Sequence, residues 1–274
     1  MWAFEEPCTR LPRSVLAETP LALIAGLGSS WLAAASLTRA GVLPPGVLAV
    51  VALTATHGGL LAVALAWGEA DGGVRLPPWS AAITVVLVAA GLTAATLGSW
   101  GALVLLGTPA WLAGLAIRGQ LVGLGLGPGI AARPVLVGGV IGVLLGSHLL
   151  YSASQTLGYP LRSGGWAALL ALWAYDVGAN VVSAECFFRG ALFNRLQRRW
   201  SFGPAVALAT TLSLVRYLSD PHLPGEIEVV VGAFFYVTTL GVINGWLLWW
   251  SGSLVPGLLA AALFFFAYRT LAIG

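Results

Sequence analysis

The sequence predicts an all-α fold, a polytopic bundle of about eight to nine transmembrane helices. Three observations predict it. Of 274 residues, 58% are hydrophobic and 8% are charged, where a soluble domain carries about 25% charged residues. Mean hydropathy is +0.91. Apolar runs of the length a bilayer demands, about 20 residues, follow one another along the chain. The breaks between them are short and rich in glycine, proline or charge, so no soluble domain fits between two runs.

Nine runs satisfy the length criterion. The first, 20–38, follows a segment with Glu5, Glu6, Arg10 and Arg13. A secretory leader starts basic rather than acidic, so this run reads as a retained first helix despite the AAAS at 33–36. LPPG precedes the run 45–67, and GEADGGVRLPP separates it from 79–99. Only SWG divides 79–99 from 101–117, and that pair could instead be one broken helix plus an interfacial piece. GLGLGPGIAAR then leads to 134–155, LGYPLRSGG to 165–193, RLQRRW to 203–219, SDPHLPGEIE to 228–250, and SGS to 253–271. Gly138, Gly142 and Gly146 recur every fourth residue, as do Gly241 and Gly245. Such ladders let helices approach closely in lipid. The GLGLGPG stretch lacks the Lys-Ser/Thr of a phosphate loop and any strand before it, so it is not read as a nucleotide site.

Every basic residue is an arginine, and the net charge of +3 is too small and dispersed for a nucleic-acid partner. Arginine placement instead sets orientation. With the N-terminus cytoplasmic, the inner segments hold Arg10, Arg13, Arg75, Arg118, Arg133, Arg195, Arg198 and Arg199. The outer ones hold Arg39, Arg162 and Arg269. Nine spans put the C-terminus outside; an even number would move it. Cys8 and Cys186 form neither a disulfide framework nor a metal-spaced group, and Cys186 reads as a small buried hydrophobe.

Ionisable side chains at membrane depth are costly, about 2.5–3.5 kcal/mol each on insertion scales. Residues 1–120, with about four helices, hold almost none except His57. Residues 121–274 hold His148, Asp176, Glu185, Arg189 and Arg216. Glu185 and Arg189, spaced i, i+4, share a helix face and read either as a self-neutralising ion pair or as a carboxylate steadied by an arginine. Asp176, Asn180 and Ser183 fall on a different face, so protein must surround that helix. Asp176 lacks a local partner; His148 could reach it, or it could sit protonated and hydrogen-bonded. Arg216 and Asp220 repeat the i, i+4 spacing, and Asp220 either caps the helix end or pairs with Arg216. His222 has no neighbours at ligand spacing, and no metal or cofactor is expected.

The stretch AECFFRGALFNRLQRRWSFGPAVALATTLS, from Ala184, resembles the first motif region of the CPBP family. That family includes bacteriocin-immunity (Abi) proteins and CAAX prenyl endopeptidases of the Rce1 type. LGVINGWLLWWSGSLVPGLLAAAL resembles its last motif region, and LGLGPGIAARPVLVGGVIGVLLG its entry into the core. The resemblance covers about 121–274. It implies a glutamate-dependent intramembrane protease, in which a first glutamate activates water with help from histidines and an asparagine. At those positions this chain differs. The first glutamate falls on Ala184, with Glu185 and Arg189 matching the second glutamate and the arginine. The Phe-x-x-x-His pair falls on Arg216 and Asp220, the last histidine on Ala261 and the asparagine on Phe265. Loss of a general base alone costs about 10²–10⁴-fold.

The resemblance therefore implies a degenerate member in which Glu185, Arg189 and Asp220 are vestigial motif positions. The expected role is a non-catalytic scaffold, assembly factor or subunit of a membrane complex, with lipids and other membrane subunits as partners. The expected location is a bacterial inner membrane. Two alternatives stay open. One is an active endopeptidase with a rearranged site around Glu185. The other is a carrier lined by Asp176, Asn180 and His57, although no internal repeat supports it.

Overall fold

The computed structural model describes residues 21–77, 79–220, 223 and 226–272. Among them are nine helices and no strand. These are α1 (Leu21–Arg39), α2 (Pro45–Gly72), α3 (Ser80–Leu97), α4 (Gly101–Ile117), α5 (Ala132–Thr156), α6 (Trp166–Gln197), α7 (Phe202–Leu218), α8 (Ile227–Ser251) and α9 (Val255–Thr270). Six are long and apolar enough to cross a bilayer; α4, α7 and α9 are shorter apolar helices. The protein is an integral membrane protein.

Local chemistry sets the helix ends. Pro45 opens α2, where its missing N–H costs nothing. Gly73, at φ 65°, and Gly252, at φ 69°, close α2 and α8 in the left-handed conformation that favours glycine. The two runs around Gly101 form separate helices in a tight hairpin. A Cβ on Gly101 would stand 2.1 Å from the Ala94 carbonyl oxygen, and one on Gly91 would stand 2.4 Å from Leu105.

Successive helices alternate in direction, and contacts between their ends show which loops share a face. At one end, Asp71 on α2 accepts from Arg195 of α6 and from Arg198 just past its end, each at 3.0 Å. There too Leu254 N–H donates to the Gly125 carbonyl at 2.9 Å, and Asn194 Nδ2 donates to that of Gly123 at 3.2 Å. At the other end, Ala272 N–H donates to Pro160 O at 2.9 Å. The first end carries Arg75, Arg118, Arg133 and Arg199 in addition to Arg195 and Arg198. Arg195 and Arg198 are not free loop charges, as the arginine count had treated them. Arg195 is buried, with its guanidinium 4.5 Å from the centre of the Trp67 ring.

Small residues determine which helices touch. A Cβ added to Gly138 or Gly142 of α5 would lie 2.3 Å from Pro256 O or 2.6 Å from Ala260 O, and one on Gly146 would lie 2.8 Å from Ala267 Cβ. The ladder thus seats α5 against the α9 backbone. One core cluster joins α2, α3 and α4 to α6 and α7 through residues such as Leu61, Val88, Leu105, Cys186 and Phe193. A second joins α5, α7, α8 and α9 through Leu149, Leu247, Ala260 and Phe264. Of α1, only Ala34 is buried.

Candidate functional site: a polar cluster inside the bundle

Helix α6 positions most of the site. It leaves α-helical winding twice, in π-helical segments at Asp176–Val181 and Glu185–Phe193. Winding of this kind bonds i to i+5 and recurs at functional sites. Gly178 lets this helix approach α4, since a Cβ there would stand 2.3 Å from Leu105 O. A third π turn, Thr54–Gly58, holds His57 on α2.

Two polar groups result. In the first, Arg269 of α9 clasps Asp176 through Nε at 2.6 Å and Nη2 at 3.0 Å. Asn180 Nδ2 donates to Asp176 at 3.1 Å. Arg216 donates to the Asn180 side-chain oxygen and to the His57 ring, 2.7 Å from Nδ1. The same arginine nitrogen lies 3.2 Å from His57 Nε2. His57 also lies 3.1 Å from Ser183 Oγ and 3.0 Å from the Tyr175 hydroxyl, which donates to Asp220 at 3.1 Å. Asp176 and His57 have no solvent exposure.

The second group surrounds Glu185. Arg189 lies 3.8 Å from it, long for an ion pair, and donates more closely to Ser213, at 2.9 Å. Glu185 Oε2 is buried without a hydrogen-bond partner. A cavity of about 30 Å³ adjoins it, lined by Ala184, Glu185, Arg189, Arg216, Ala261 and Phe265 among others. That is room for a water molecule or so. Positions that lie on four helices thus meet at one point.

Three expectations need correcting. Asp176 is paired, and its partner is Arg269, counted from sequence as an outer loop arginine. His148 does not serve it; its Nδ1 lies 2.8 Å from the Tyr236 hydroxyl. Asn180 and Glu185 do not face apart, because both line the small cavity. The π-helical winding brings residues five apart toward one side, which a uniform α-helix would not. Asp220 sits beside Tyr175, outside that cavity. His222 lies outside the described residues. Sequence reasoning missed Tyr175 and Arg269, whose only signal was polarity near apolar helices. Among the described residues no group of His, Cys, Asp and Glu could hold a metal ion.

Residues 166–267 match the family described as Type II CAAX prenyl endopeptidase Rce1-like. The matched region runs from the start of α6 into α9. It is shorter than the 121–274 over which the sequence motifs suggested resemblance. No curated protein and no solved structure matches the chain.

Proposed function

We propose, with an Rce1-like domain at 166–267 as the premise, that this membrane protein keeps the family's helical frame without its hydrolysis. It serves as a scaffold, assembly factor or subunit of a membrane complex, in a bacterial inner membrane with the arginine-rich end facing the cytoplasm. One observation carries the reading. The motif positions that resemblance assigns to a base, a histidine and an asparagine are Ala184, Ala261 and Phe265, and they wall a cavity of about 30 Å³. Alanine moves no proton, phenylalanine donates to no oxyanion, and the space holds no peptide. Glu185 then acts locally, as a partner for Arg189.

The second reading, a rearranged protease, draws support from the unpartnered Glu185 Oε2 beside space for water. One experiment separates the two. The purified protein, in detergent and in liposomes, is incubated with prenylated and unprenylated peptide substrates beside its Glu185→Gln variant. Cleavage at background level by both proteins supports the scaffold. Cleavage that disappears in Glu185→Gln establishes the protease.

A further inference from the structure

A cleft lies on the far side of α6 from the polar cluster and plays no part in it. Its first chamber, about 360 Å³, opens between α4 and α9. Leu112, Ala113 and Ala116 line it from α4, Leu258 from α9, and Val182 with Cys186 form its floor on α6. No charged residue lines it. Its second chamber, about 370 Å³, lies at the arginine-rich end. Main-chain groups of Gly125, Gly129 and Ala131 wall it, with the hydroxyl-bearing Ser251 and Ser253. The two chambers share Gly127, Pro128 and Ile130, so an oily slot and a polar mouth adjoin the same loop.

Charge identifies the occupant. Arg118 follows Ile117, which lines the first chamber, and Arg133 in the first turn of α5 precedes Pro134, which lines the second. Both are exposed, and Arg133 lies 5.9 Å from the centre of the Trp250 ring. No acidic side chain lines either chamber. The nearby Asp71 is taken by Arg195 and Arg198. A molecule fitting this outline has an apolar tail within the bilayer and an anionic head at its surface. Basic sites between membrane helices recognise headgroups of this kind.

We infer that this cleft binds one anionic glycerophospholipid, with an acyl chain between α4 and α9 and its phosphate between Arg118 and Arg133.

The test titrates the purified full chain with phosphatidylglycerol, phosphatidylcholine or inorganic phosphate, following retained lipid by native mass spectrometry. The wild type is expected to hold phosphatidylglycerol about tenfold more tightly than phosphatidylcholine, the scale of one to two surface arginines. Arg118→Gln with Arg133→Gln abolishes that preference and leaves phosphatidylcholine binding unchanged, which shows that the variant is folded. Arg118→Lys with Arg133→Lys retains the preference. Ala113→Phe fills the slot from the exposed side of α4 and weakens both lipids. Equal binding of the two lipids by the wild type would overturn the inference. So would a glutamine double variant that keeps the preference. Displacement of phosphatidylglycerol by inorganic phosphate alone would assign the mouth to a free anion instead.

Discussion

Asp176 and Arg269 lie 93 positions apart in the chain and meet at 2.6 Å, deep in protein. Removing one member of such a pair leaves a buried charge without compensation, which costs about 3–5 kcal/mol. Arg269→Met is therefore expected to lower stability by about 3 kcal/mol, read from denaturant unfolding in micelles. Adding Asp176→Asn to it should recover part of that loss, because the stranded charge is gone. If the two losses simply add, the residues are not coupled. The same residues show what the sequence could and could not reveal. Glu185 and Arg189 sit on one helix, so their spacing alone announced their proximity. Asp176 looked unpartnered because its arginine arrives from another helix, near whose end it resembled a loop charge. His57 was conspicuous as a lone polar residue, but nothing local linked it to Arg216.

Elements were more legible than pairs, since a bilayer imposes a run length that composition records. All nine apolar runs form helices, and the glycine spacing on α5 marked the contact with α9. Gly142→Leu tests that contact. The new side chain would begin 2.6 Å from Ala260 O, and backbone cannot yield as a flexible side chain can. Overpacking of this kind costs about 1–3 kcal/mol or more. The expected readout is a lower unfolding midpoint, with Gly139→Leu as control; a Cβ at Gly139 meets only Leu259 Cδ2, at 3.4 Å. Equal midpoints for the two variants would contradict the close packing. The winding of α6 was not legible. Hydrophobic periodicity assumes one pitch, and two π-helical segments shift the phase partway along, so Asn180 and Glu185 share a cavity that an α-helical wheel separates.

At the scale of the molecule, alternation of nine helices places Arg75 and Arg199 on one side and Gly158 and Ser219 on the other. Cysteines introduced singly at these four exposed positions, in a chain lacking Cys8 and Cys186, test this with an impermeant maleimide on intact cells. Labelling at 158 and 219 only, with 75 and 199 reacting after lysis, is the expected result. The reverse pattern would refute the proposed orientation, and a split within either pair would refute the alternation. Three partners of His57 carry a consequence for biogenesis. They stand 118, 126 and 159 positions downstream, at Tyr175, Ser183 and Arg216. A ribosome releases the middle of α2 into lipid long before those groups are made. These three contacts therefore form only after α6 and α7 emerge, so this part of the polar cluster closes late in synthesis.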